Sequence, residues 1–428
     1  MGVAMGQRAP RGAGPQAPSC RTGRRLLGHR GALAVYALIA VAFMASSSAP
    51  TPLYAEYQET LGLSPVVMTL VFATYPVILM LALLTTGSLS DFLGRRTVVA
   101  GAIAMQLVAL VVFMVADSAP TLIVARALQG AATGIATTAY ASALVDLHPA
   151  RGPMINGLVP LVGMAIGGLG SGLISTATSA PAIAVFTCLL VMFCLLLAAL
   201  VSVPETVTRR PGALTSLAPR ISIPASARPM VQATAPVLVA VWAVGGFVLS
   251  LGPNLARDLT GDSSPLLGGW FVFALTGTGA VAVLLVMRLS PNFAFISGTL
   301  ALAVGLGLII TATLTHAAWL VFLGASVAGY GFGVGFQGVL RTVVPIAAPV
   351  ERAGLLSGVY IICYLSNALP SLGAGIVATT MGLHASVAVL GSTAIALALI
   401  GLIATLRTAA ARQRAPVSGP ELSSGTAP

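Results

Sequence analysis

Gly87-Ser88-Leu89-Ser90-Asp91-Phe92-Leu93-Gly94-Arg95-Arg96 places two glycines, one acid and two arginines within ten residues of a chain of which only 7% is charged. Apolar stretches flank it, from Pro65 to Ser88 and from Thr97 to Ala116. Each is long enough to cross roughly 30 Å of hydrocarbon at a helical rise of about 1.5 Å per residue. The run therefore reads as a short polar joint between two membrane-spanning helices.

The rest of the chain has the same character. With 57% hydrophobic residues, a mean hydropathy of +0.99 and ten carboxylates in 428 residues, a water-soluble fold is excluded, because such folds carry about a quarter of their residues charged. Strands of a membrane barrel would alternate with period two, and unbroken runs such as Ala182 to Val203 do not. The expected class is all-α and membrane-integral. A formal charge of +11 and a pI near 10.4 do not indicate nucleic acid, because the arginines are spread over short segments between apolar spans and form no single basic face. Cys20, Cys188, Cys194 and Cys363 lack zinc-ligand spacing and are expected as free thiols. No metal and no cofactor are expected.

Twelve spans fit, at about 32–55, 65–88, 97–116, 120–143, 154–176, 181–203, 232–255, 265–288, 293–315, 317–341, 353–379 and 384–407. Ser64-Pro65 and Ser118-Ala119-Pro120 place a capping residue before a proline of the first helical turn. The long polar stretch inside the chain, rich in proline and arginine, separates two six-helix halves. The expected organisation is a disordered tail over 1–30, a bundle over 31–205, a linker over 206–230, a second bundle over 231–408 and a tail over 409–428. With the amino terminus inside, nineteen of the 21 arginines fall on the cytoplasmic side, where short loops are enriched in basic residues. Both termini are therefore expected in the cytoplasm, and only Arg257 falls in an outer loop and Arg126 within a span.

An offset of 201 residues pairs Gly130 with Gly331, Gly134 with Gly335, Arg151 with Arg352, Gly157 with Gly358 and Gly172 with Gly373, and sets Asp91 on Asn292. Such internal repeats characterise secondary transporters, whose site lies between the repeats.

Across residues 31–407 the chain resembles transporters of the major facilitator superfamily. Gly87, Asp91, Gly94, Arg95 and Arg96 match the family's signature loop between helices two and three. The resemblance implies that Asp91 accepts hydrogen bonds from the amide end of helix eleven, near Arg352, and locks the cytoplasmic side. Arg126-Ala127-Leu128-Gln129-Gly130, with Gly134 beyond it, resembles the helix-four pattern whose arginine is linked to proton coupling or substrate charge. Arg126 lies roughly 9 Å along its helix, so its side chain either faces a cavity or snorkels to the outer surface. Gly163-Met164-Ala165-Ile166-Gly167-Gly168 partly resembles the helix-five signature of drug/proton antiporters, with Met164 where that signature has proline. The same glycines also make a close-packing surface. Tyr360, Tyr364 and Asn367 share one face of helix eleven and, with Asn156 and Gln337, are candidates to line a central cavity. Pro204-Glu205-Thr206 is a helix-six ending common in the family.

A proton carrier usually needs an acid or histidine inside the membrane, and none occupies the middle of any expected span. Coupling then falls to edge groups such as Glu56, Glu59, His316 or His384, to Arg126 acting with a protonated substrate, or is absent. The function expected is proton-coupled efflux of small amphipathic or hydrophobic molecules by a monomeric, bacterial inner-membrane, rocker-switch transporter. Import of a small neutral or anionic nutrient, and a non-transporting sensor on the same fold, are the alternatives. The scattered histidines form no catalytic constellation, so no enzyme is expected.

Overall fold

Proline opens the helices. In a computed structural model, which describes residues 27–213, 217 and 222–414, Pro65, Pro181, Pro265 and Pro291 are first residues of helices, where the missing N–H costs nothing. Ser264 and Ser290 each accept a first-turn amide, from Leu266 and Phe293.

Twelve long helices result: α1 (His29–Ser48), α2 (Pro65–Thr86), α3 (Arg95–Met114), α4 (Ala119–Leu147), α5 (Gly152–Thr176), α6 (Pro181–Leu200), α7 (Arg228–Ser250), α8 (Pro265–Val286), α9 (Pro291–Thr315), α10 (Ala318–Val343), α11 (Arg352–Met381) and α12 (Leu383–Arg414). Among the described residues there is no strand. Eleven of the helical segments are long and apolar enough to cross a membrane. The twelfth, α4, is 29 residues long and dilutes its apolar content with Arg126, Gln129 and four threonines. Cys188, Cys194 and Cys363 are free thiols.

Four details depart from the expected spans. The first span continues through a 3₁₀ turn, Thr51–Leu53, into a short helix, Tyr54–Leu61, closed by Gly62 at φ +63°. The seventh continues likewise into Gly252–Thr260, closed by Gly261 at φ +68°. α10 contains a π-helical segment, Gly331–Gly335, where three glycines let its backbone pass close to Gly279 and Gly298. α12 runs on to Arg414 through an alanine-rich, arginine-ended stretch, a composition that favours helix and suits its carboxyl end. The expected tails lie outside the described residues over 1–26 and 415–428, as do parts of the linker.

Helices α1–α6 enclose one buried apolar cluster and α7–α12 another. The offset of 201 carries α2 onto 266–287, the position of α8, and α5 onto 353–377, that of α11. The pairs that join the halves, α2 with α11 and α5 with α8, are thus exchanged by the repeat. We call the face where α1 begins and α12 ends the terminal face, and the opposite one distal.

Candidate functional site

At the distal face the halves are tied together. The Asn254 carboxamide donates to Gln58 Oε1 at 2.5 Å, and Arg257 pairs with Glu59 at 3.1 Å, so the two short helices meet. Thr51 Oγ1 donates to the Leu249 carbonyl at 3.0 Å, and the Val66 amide donates to Thr379 Oγ1 at 3.2 Å. Gly168 and Gly172 of α5 press on Val272 and Gly269 of α8, with no room for side chains between them.

The terminal face carries the Gly87–Arg96 joint, now a short helix, Leu89–Leu93, between α2 and α3. Gly87 has ordinary helical dihedrals. Gly94 has φ +93°, and a β-carbon there would meet the Glu205 carboxylate. That carboxylate accepts the backbone amides of Arg95 at 2.7 Å and Arg96 at 3.1 Å, capping a helix that brings no side-chain cap of its own. Arg95, 8% exposed, pairs with Asp91, with Asp146 of α4 at 3.2 Å and with Ser90 at 2.6 Å. Arg96 donates to the Val203 carbonyl at the end of α6.

Asp91 and Arg352 are not brought together. Asp91 is half exposed and turned to Arg95, and Arg352 Nε donates to the Ala347 carbonyl at 3.3 Å. The first turns of α11 are instead covered by the linker: the Ser222 amide reaches the Gly354 carbonyl, and Ile223 lies on Gly358. Earlier in the linker, Arg210 donates its amide to the Phe92 carbonyl. The linker thus touches both the joint and α11.

Arg126 does not snorkel. It is 1% exposed, and its guanidinium lies over the Tyr75 ring at 4.4 Å from the centroid and near Phe72 at 5.7 Å. One nitrogen donates to Gln129 Oε1 at 2.6 Å and to the Ser47 carbonyl at 3.1 Å. Gln129 in turn donates to the Ser46 carbonyl and hydroxyl, and Gln106 of α3 also donates to that hydroxyl. Among the described residues no carboxylate pairs with Arg126, and its Nε has no hydrogen-bond partner. A charge held inside a bilayer without a counter-charge is costly, so cation–π attraction and neutral acceptors carry it.

Across from it the second half presents rings. Trp242 of α7 contacts Tyr364, Phe336 and Phe332, with Tyr364 at 5.2 Å, and Tyr360 stacks near Tyr364. Asn367 donates to the Trp242 carbonyl at 3.2 Å. In the first half the Tyr140 hydroxyl is 3.2 Å from Thr137 Oγ1. Asn156 donates to the Ala141 carbonyl, tying α5 to α4. Gln337 lies over Gly157. Gly130 and Gly134 back onto the Tyr75 and Leu79 carbonyls of α2, and Gly163 and Gly167 onto α1, so these four are packing positions.

Several of these groups are not singled out by sequence pattern. Asp146, Ser90 and Trp242 need the tertiary fold to be found. Glu205 stood out as part of the Pro204-Glu205-Thr206 ending, but its role as the cap of α3, which follows a glycine and has no side-chain cap of its own, needs the fold.

The comparisons agree on one architecture. The model of the Major Facilitator Superfamily matches residues 36–369. No curated protein sequence matches the chain. Among solved structures, the E. coli xylose transporter XylE in an inward-open conformation is 15% identical, with a TM-score of 0.70 over 89% of this chain and 100% of its own. The human organic anion transporter MFSD10 (TETRAN) is 14% identical, with a TM-score of 0.63 over 88% and 100%. A point mutant of the nucleoside transporter NupG is 12% identical, with a TM-score of 0.67 over 87% and 99%. At such identities the likeness is one of fold.

Proposed function

The chain belongs to the Major Facilitator Superfamily, and from that premise we propose that it moves small amphipathic or hydrophobic molecules out of the cell by proton-coupled, rocker-switch alternating access. One observation carries the reading: midway along α7, α10 and α11, Trp242 packs against Phe336 and Tyr364, and Tyr364 against Tyr360, while Tyr75 of the first half lies against Arg126. Such a cluster offers large apolar faces with few fixed polar groups, which suits variable apolar cargo.

In this proposal residues 31–205 and 231–408 are the two rocking bundles and 206–230 their linker. The terminal face is cytoplasmic, because the described arginines outside the spans, Arg257 apart, gather at that face, and the membrane of this proposal is the bacterial inner one. The structure's tied distal end then corresponds to a transporter closed to the outside. Asp91, Arg95 and their neighbours act as the cytoplasmic gate in the opposite state. Every described carboxylate lies near a helix end, so in this proposal the proton is handled at the edges of the path, by Glu56, Glu59, His316 or His384. The proposed unit is a monomer.

A second reading has its own observation. Arg126 is buried, and no carboxylate among the described residues pairs with it, which favours an anionic nutrient taken inward. Dye accumulation in energised cells separates the two. Efflux requires that loss of the protein raise the level of a lipophilic dye; unchanged levels across a broad panel, with uptake of a labelled carboxylate by counterflow in proteoliposomes, would establish import.

A further inference from the structure

A second arginine lies at the terminal end of the other half. Between α8, α9 and α10 is a cavity of about 170 Å³ lined by Val283, Val286, Ala294, Val334, Gln337 and Arg341, with Met287 also on its wall. Four of those residues are apolar and at least nine-tenths buried. Gln337 and Arg341 are one helical turn apart on α10 and both half-buried.

Both polar groups keep donors that no described residue takes up. Arg341 donates one nitrogen to the Leu289 carbonyl at 2.5 Å, and no carboxylate pairs with it among the described residues. Gln337 makes no hydrogen bond to any described residue, although its amide nitrogen would be 3.1 Å from a β-carbon at Gly157 of the opposite half. The cavity therefore borders the seam between the bundles. A half-buried guanidinium and carboxamide thus stand beside aliphatic walls with donors that no described residue takes up.

We infer that this cavity is an anion subsite of the translocation path: Arg341 and Gln337 hold the head of an amphipathic monoanion, and its short apolar chain lies against Val283, Val286 and Val334. A guanidinium and an amide N–H together donate to both oxygens of a carboxylate. The volume is below the roughly 300 Å³ of drug-sized pockets, so it takes a carboxylate with a short chain or the leading end of a longer molecule. The inference rests on the transport reading and narrows its substrate class: the amphipathic cargo carries one negative charge, met at the terminal face by Arg341 and deeper in by Arg126.

The test is equilibrium binding, which does not require transport. Hexanoate and its neutral isostere hexanamide are titrated against the full chain in phosphatidylcholine nanodiscs by ligand-observed NMR. Wild type should bind hexanoate at least tenfold more tightly than hexanamide. Arg341→Gln should remove that preference, and Gln337→Leu, which keeps the Arg341–Leu289 bond, should reduce it about threefold or more. No hexanoate binding, an unchanged preference in both variants, or equal weakening of both ligands overturns the inference; the last assigns Arg341 a purely structural role. Repeating the titration with phosphatidylglycerol distinguishes the source of the anion. Arg341-dependent exclusion of hexanoate by that lipid would make the site a lipid-headgroup site and overturn it as a substrate subsite. Binding as expected with unchanged dye accumulation on deletion would sink the efflux reading alone.

Discussion

The Glu205 carboxylate occupies the space that a β-carbon on Gly94 would fill, and from there it accepts the amides that open α3. One glycine thus serves two purposes: a left-handed φ of +93°, and room for an acid from the end of the sixth helix. Gly94→Ala should cost about 1–3 kcal/mol from backbone strain alone, and displace Glu205 as well. Glu205→Gln keeps the shape and loses the charge, so it should cost less than Glu205→Ala. Thermal midpoints of the purified protein, ordered wild type, Glu205→Gln, Glu205→Ala, Gly94→Ala, check the argument; a Gly94→Ala midpoint equal to wild type refutes it.

Arg126 is held by Tyr75, Gln129 and Ser47 without an acid. Its planarity matters as much as its charge, because stacking and forked donation both use the plane. Arg126→Lys should therefore cut transport in proteoliposomes about tenfold or more, while Arg126→Gln should spare neutral cargo more than anionic cargo. Equal loss for both classes of cargo would reduce Arg126 to a structural post for Gln129 and Ser47.

The twelve long helices were readable because length and hydropathy report spans directly, and the offset of 201, read there only as residue pairs, carries α2 onto α8. The short distal helices 54–61 and 252–260 were not readable, since each is amphipathic and runs on from an apolar span without a break. Arg126 could be placed in a helix but not turned. Whether it snorkels depends on Tyr75 and Phe72, more than fifty residues away in sequence, standing beside it. The same holds for Asp146, an ordinary helix-end acid until folding sets it against Arg95.

Gln58 and Asn254 meet across the distal end. With the native cysteines replaced, Gln58→Cys and Asn254→Cys should be joined readily by a short reversible bis-thiosulfonate linker. Alternating access then requires transport to stop on linking and return on reduction. Full transport by fully linked protein would mean that the halves do not part at this face.

Asp91 and Arg95 are four residues apart, and Arg95 keeps Asp146 and Ser90 as partners if the acid is neutralised. An ion pair in which one side chain is half exposed contributes about 1 kcal/mol or less, so Asp91→Asn should leave expression, insertion and thermal midpoint close to wild type. The gate proposal makes a separate demand on it. In the state closed at the terminal face, Asp91 would have to exchange its present contact for the amide end of α11, now covered by Ser222 and Ile223 of the linker. Neutralising it should weaken that state alone and slow turnover about fivefold or more at saturating substrate, with substrate affinity little changed. Labelling of a cysteine at Gln58, held against Asn254 in the present state, reads the same equilibrium without transport: it should fall in Asp91→Asn as the distal face stays tied longer. Wild-type turnover with wild-type labelling would remove Asp91 from the gate and leave the linker as the element bridging the joint and α11.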